Sequence, residues 1–142
     1  MDQIPKPALS LGLAGLLPFL ASFLASLIGL WPVFMTSTAL IYGVVILSFM
    51  GGAIWGFAAT QDLDLWRWLG LSVAPALYGF AIAMFWPFSD GSACVALALG
   101  FAALLYVDRE AQAAGLAPFW WMRLRILLTT LVVLCLLGIA AL

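Results

Sequence analysis

Residues 48–56 read SFMGGAIWG, a stretch that places three glycines inside a long apolar run. Glycine costs an α-helix in water about 1 kcal/mol relative to alanine, so water-exposed helices disfavour it. In lipid, small residues instead promote helix pairing because they let two backbones approach closely. Ser48, Gly52 and Gly56 recur every four residues and therefore share one helix face. The stretch predicts a membrane helix with a smooth packing face.

The composition extends this prediction to the whole chain. The 142 residues are 67% hydrophobic and 8% charged, with no histidine, whereas soluble domains carry about 25% charged residues. A lipid bilayer is therefore the expected surroundings. The net charge of −1 gives no basic cluster of the kind that nucleic acid requires. Cys94 and Cys135 lie in apolar runs and are expected to pack as small hydrophobes, with no metal and no cofactor.

Five apolar segments reach or approach the roughly 20 residues that a spanning helix needs. They are residues 8–31, 38–59, 66–86, 92–107 and 119–142. The fourth is short and can continue as a water-exposed helix through Asp108 and Glu110. Gly115 would then end this helix in the left-handed conformation. The chain is thus expected to be a single-domain, all-α integral membrane protein, a bundle of five transmembrane helices.

The basic residues predict the orientation of this bundle. With five spans, the amino terminus and the second and fourth loops share one side. That side receives all the basic residues, Lys6, Arg67, Arg109, Arg123 and Arg125. The positive-inside rule then places the amino terminus in the cytoplasm and the carboxyl terminus outside. With no recognisable presequence, the bacterial inner membrane is the expected location.

Catalytic chemistry finds little support in the sequence. There is no histidine to act as a general base, and no span carries a pair of carboxylates. Asp108 and Glu110 are expected to face water, so no carboxylate is expected to be buried within the bundle. These features argue against an enzyme and against a proton-coupled pump.

The candidate site residues allow two interpretations, a helix-packing face or a ligand cavity. Pro18 and Pro75 each remove a backbone donor at mid-span, and the resulting kinks could open a pocket. The candidates are Ser48, Gly51, Gly52, Trp55, Gly56, Tyr78, Arg125 and Thr129.

Arg125 is the ambiguous member of this set. It can snorkel to the membrane interface, or it can turn inward on the face it shares with Thr129. In the second case, Asp108 or Glu110 could be its partner across the fourth loop.

Three motifs resemble a known family of membrane proteins. They are LGLAGLLPF (residues 11–19), YGVVILSFMGGAIWGF (42–57) and WWMRLRILLTTLVV (120–133). The family, a domain of unknown function, occurs in bacteria and mitochondria and includes the animal transmembrane protein sixty-nine. The resemblance implies a small multi-helix protein of inner membranes, and it implies no activity.

Two functional hypotheses follow. The first is an accessory or assembly subunit that packs against a larger membrane complex, in which case Gly52→Leu should disrupt the fold or the complex and a small-residue stripe should remain exposed. The second is a binder or carrier of a lipid or quinone, with Trp55 and Tyr78 contacting the ligand and Arg125 holding an anionic head. The sequence does not define the oligomeric state.

Overall fold

The computed structural model describes residues 3–87 and 91–142, and all regular structure in this part of the chain is helical. Five segments of the described residues are long and apolar enough to cross a membrane, as the composition predicted. The first segment is built from two helices. The elements are α1 (Lys6–Ala14), α2 (Leu17–Leu27), α3 (Pro32–Ala59), α4 (Leu65–Phe85), α5 (Gly91–Ala113) and α6 (Trp121–Ala141).

The first span is broken rather than kinked. α1 ends at Ala14, and α2 begins at Leu17 with Pro18 in its first turn. Proline has no N–H to donate four residues back, and its ring crowds that carbonyl, so the helix restarts around it. The Tyr42 hydroxyl of α3 donates to the Gly15 carbonyl oxygen at 3.0 Å, which satisfies an acceptor at the break.

Two helix ends have the left-handed glycine that closes a Schellman motif. After α2, Gly29 has φ +73°, and Leu30 N–H donates to the Ala25 carbonyl at 2.8 Å. After α5, Gly115 has φ +79°, which confirms the predicted stop, so α5 does continue well beyond residue 107. The second span also begins earlier than residue 38, because Pro32 starts α3 directly after the turn.

The core is formed where α3 and α5 meet the other helices. α3 packs against α2, α4 and α5, and α5 packs against α6. Phe19 of α2 is fully buried and its ring meets Tyr42 and Phe101, with ring centroids 5.1 and 6.2 Å away. This aromatic cluster attaches the broken first span to α3 and α5.

The close crossing of α3 and α4 uses Gly51. A Cβ atom on Gly51 would lie 2.6 Å from the Ser72 carbonyl oxygen and 3.0 Å from Pro75 Cγ. A Cβ on Gly52 or Gly56 would meet nothing within 4 Å. Among the described residues, the G-x-x-x-G pair therefore does not serve packing, because Gly52 and Gly56 lie about 100° and 140° around the helix from Gly51 and face away from the crossing.

This difference gives a matched pair of substitutions. Gly51→Ala should lower the free energy of unfolding by about 1–3 kcal/mol, as overpacking at a close contact does. Gly52→Ala should leave it unchanged or slightly higher, since the new methyl group enters open space. Reversible unfolding in mixed micelles, followed by helical circular dichroism, measures both. Equal effects of the two variants would contradict this crossing.

Candidate functional site

A buried ion pair joins α5 to α6. Arg125 Nε donates to Asp108 Oδ2 at 2.6 Å, and the side chains of arginine and aspartate are 3% and 0% exposed. Trp121 Nε1 donates to the other carboxylate oxygen, Oδ1, at 3.0 Å. Both oxygens of Asp108 therefore have a donor, and the two opposite charges neutralise each other inside the bundle.

Helical spacing brings these groups together. Trp121 and Arg125 are four residues apart, so they share a face in the first turns of α6. Asp108 and Gln112 have the same spacing near the end of α5. Gln112 accepts a hydrogen bond from Met122 N–H at 3.0 Å and donates to the Phe119 carbonyl at 3.3 Å. The Asp108–Gln112 face of α5 therefore secures both α6 and the connection that leads into it.

The expectation that Asp108 faces water is wrong, as is the related expectation that no carboxylate is buried. Asp108 lies on the side of α5 that meets α6, whereas Glu110, about 200° further around the helix, faces outward. Glu110 instead approaches Arg67 at 3.8 Å near the surface. Of the alternatives left open for Arg125, the structure has the inward one, with Asp108 as its partner. Arg123 is exposed.

A groove opens beside the ion pair, between the first span, α3, α5 and α6. Its volume is about 120 Å³, and Arg125 and Thr129 are the polar side chains that line it among the residues that the structure describes. Arg125 Nη2 and Thr129 Oγ1 are fully buried and have no hydrogen-bond partner. The remaining lining is apolar or glycine and includes Gly12, Phe19, Ile46, Met50, Phe101 and Val132. The arrangement is an apolar slot lined by two residues that each carry a donor without a partner, and such a slot can hold a hydrogen-bond acceptor carried by an apolar molecule.

The other candidate residues lie elsewhere. Tyr78 lines a groove between α4 and α5, and its hydroxyl donates to the Ala96 carbonyl at 2.7 Å. Trp55 lines a shallow depression on the outer surface of α3 and α4. Ser48 donates back to the Val44 carbonyl of its own helix at 2.8 Å.

The eight candidates thus do not surround one cavity, and only Arg125 and Thr129 share a groove. Sequence reasoning did not single out Trp121 and Gln112. The signal that could have identified them is the i, i+4 spacing of Asp108 with Gln112 and of Trp121 with Arg125. Within residues 3–87 and 91–142, no group of three side chains could hold a metal ion.

Together these features define a small multi-pass helical membrane protein with a buried ion pair beside an apolar groove. The family model described as "Protein of unknown function (DUF3429)" matches residues 4–141, and the chain belongs to this family. The resemblance that the three motifs indicated is therefore confirmed.

Two relatives are animal proteins. The chain is 36% identical over 142 aligned residues to Transmembrane protein 69 of Xenopus tropicalis, a match that covers 97% of this chain and 55% of the relative. It is 34% identical over 132 residues to Transmembrane protein 69 of Mus musculus, covering 88% and 51%. The chain therefore spans about half the length of these curated relatives. No solved structure matches.

The ion pair predicts unequal effects of two carboxylate substitutions. Asp108→Asn leaves the Arg125 charge buried without a counterion and should cost about 3–5 kcal/mol of unfolding free energy. Glu110→Gln removes a partly exposed pair and should cost at most about 1 kcal/mol. The double variant Asp108→Leu/Arg125→Met should recover most of the loss, because no buried charge remains. Unfolding in mixed micelles tests all three, and an Asp108→Asn variant as stable as Glu110→Gln would contradict the burial of the pair.

Proposed function

We propose that this protein binds a neutral amphiphile in the groove beside Arg125, as a binding protein or carrier of the bacterial inner membrane. The observation that carries the proposal is the pair of buried, unpartnered donors on Arg125 Nη2 and Thr129 Oγ1. A buried polar group without a partner costs about 1–3 kcal/mol, and more when it is charged. A ligand acceptor that accepts a hydrogen bond from either donor would recover part of this cost.

The charge balance of the site indicates the chemistry of the ligand head. Asp108 already neutralises Arg125 at 2.6 Å. A second anion would leave one unbalanced negative charge in a low-dielectric groove, which is strongly unfavourable. The site therefore favours a neutral acceptor, such as an ester or ketone carbonyl, over the anionic head expected from the sequence. Ester lipids and quinones both carry such a group.

The position of the donors suits a ligand that enters from the membrane. Arg125 lies in the second turn of α6, at the end of the bundle where α1, α4 and α6 begin. We name this end the basic end, since all the basic residues fall there. Val132, which also lines the groove, is seven residues further along α6, or about 10 Å deeper. With the proposed cytoplasmic amino terminus, the ligand head would lie near the inner interface and its tail would point toward the bilayer centre.

A second proposed function is that of an accessory or assembly subunit in a larger membrane complex. Its support is the face of α3 around Gly52 and Gly56, where a Cβ atom would meet nothing within 4 Å. The hypothesis predicted such a leftover small-residue stripe. Phe49, on the same face, is 70% exposed, so the face offers close approach next to a large apolar side chain.

Gly52 of α3 and Gly70 of α4 both face open space, and substitutions at these two positions test the second function. Gly52→Leu should leave the unfolding midpoint of the isolated protein unchanged but should remove any polypeptide that co-purifies from native membranes in nanodiscs. Gly70→Leu is the control, because Gly70 of α4 is equally open. Retention of a partner by both variants, or the absence of a partner from the wild type, would contradict docking on this face.

The ligand-binding function predicts different behaviour of two adjacent threonines. Thr129→Val should weaken binding of monoolein, a neutral ester, about five- to tenfold, the value of one hydrogen bond. It should not lower stability, because it removes a buried unpaired hydroxyl. Thr130→Val should change neither, since Thr130 points outward. Native mass spectrometry of nanodiscs titrated with monoolein provides the measurement.

Oleate serves as the anionic comparison in the same titration and should bind more weakly than monoolein. Equal monoolein binding by both threonine variants would contradict the site. Tighter binding of oleate would contradict the neutral head.

A further inference from the structure

A second groove lies between α4 and α5, on the other side of the core from Arg125. It has a volume of about 370 Å³ and a lining that is almost wholly apolar. Ala74, Gly100 and Ala103 are small, so the two helices leave a channel between larger residues such as Leu71 and Leu104. Tyr78 spans the channel and donates to the Ala96 carbonyl at 2.7 Å. This bond ties α4 to α5 at the end of the groove away from the basic end.

The groove continues toward the basic end into a polar mouth. Leu71 and Val107 line the groove, and they also line an adjoining depression of about 480 Å³. Arg67, Tyr106 and Glu110 provide the polar lining of this depression. An apolar channel thus ends in a pair of opposite charges.

The length of the groove fits one leaflet of a bilayer. Arg67 and Tyr78 are eleven residues apart on α4, which corresponds to about 16 Å along the helix axis. The hydrocarbon core of a bilayer is about 30 Å thick, so one leaflet contributes about 15 Å. A transmembrane helix from a partner would need a channel along the full thickness, whereas one lipid acyl chain needs only the length seen here.

The mouth carries one positive and one negative side chain, Arg67 and Glu110, which together complement a zwitterionic lipid head. Arg67 Nη2 and Glu110 Oε2 are 3.8 Å apart, and the side chains are 55% and 38% exposed, so both remain accessible to a ligand. Asp64, at the start of α4, accepts a hydrogen bond from Arg67 N–H at 3.2 Å and adds negative charge nearby. A purely anionic head would meet these carboxylates. A phosphate beside Arg67 and a primary ammonium beside Glu110 would instead complement both charges.

We infer that the α4–α5 groove and its Arg67–Glu110 mouth form a binding site for one aminophospholipid, with an acyl chain in the groove and the zwitterionic head at the mouth. Tyr106 lines the mouth and its side chain is exposed, as is typical of aromatic residues at the level of lipid heads. The site is separate from the groove at Arg125 and does not depend on the function proposed for that groove.

Native mass spectrometry with defined lipids tests this inference. Detergent-solubilised protein is titrated with phosphatidylethanolamine, phosphatidylcholine and phosphatidylglycerol that carry identical acyl chains. We expect one tightly retained lipid per chain, with phosphatidylethanolamine bound most tightly. Glu110→Gln should reduce the preference for phosphatidylethanolamine over phosphatidylcholine by about two- to fivefold, the range for a partly exposed ion pair.

Groove-filling substitutions supply the matched control. Ala103→Phe places an aromatic ring in the groove and should abolish the retained lipid. Ala102 is also exposed but does not line the groove, so Ala102→Phe should retain the lipid. Ala74→Leu fills the opposite wall and should act like Ala103→Phe. Circular dichroism melting of each variant verifies the fold.

Three results would overturn the inference. The first is equal lipid retention by Ala103→Phe, Ala74→Leu and the wild type. The second is equal loss of the lipid in Ala102→Phe and Ala103→Phe. The third is tighter retention of phosphatidylglycerol than of phosphatidylethanolamine.

Discussion

The basic end of the bundle depends on the ion pair between Asp108 and Arg125. A charge inside a membrane protein is costly unless it is paired, and here each partner makes the other tolerable while Trp121 supplies the remaining carboxylate oxygen with a donor. The pair fixes how α5 and α6 lie against each other. A guanidinium has more donors than one carboxylate can use in this geometry. The Nη2 atom of Arg125 is therefore left without a hydrogen-bond partner. The interaction that secures the two helices therefore also leaves a donor in the groove.

The small residues of α3 serve opposite purposes on adjacent faces. Gly51 lets the backbone of α4 approach, because any side chain would collide with the Ser72 carbonyl and Pro75. Gly52 and Gly56 leave a smooth outer surface that no residue in the described ranges, 3–87 and 91–142, covers. The three glycines of this apolar stretch therefore serve two different purposes. Gly51 lets α3 and α4 pack closely, and Gly52 and Gly56 shape an exposed surface of α3.

Hydropathy and turn chemistry predict much of this fold from the sequence, including the five spans and the left-handed stop at Gly115. They do not predict which face of each helix points inward, because spans that are apolar all round carry no amphipathic signal for their rotation. For this reason Ser48, Trp55 and Tyr78 could be assigned to helices but not to a common site. The burial of Asp108 was missed because it lies in a polar run with Arg109 and Glu110, and only the packing of α6 against α5 separates its environment from theirs.

The pairing of Asp108 with Arg125 inside the helical bundle is tested most directly by solid-state NMR of the protein in bilayers. Dipolar recoupling between ¹³C-labelled aspartate carboxyl carbons and ¹⁵N-labelled arginine side chains reports their separation, and the Asp108→Asn variant assigns the signal. The structure predicts strong dephasing of the Asp108 carboxyl carbon by the Arg125 Nε nitrogen, as a hydrogen bond of 2.6 Å requires. An Asp108 carboxyl carbon that shows no dephasing by arginine nitrogen would contradict the pair and, with it, the site built on its unused donor.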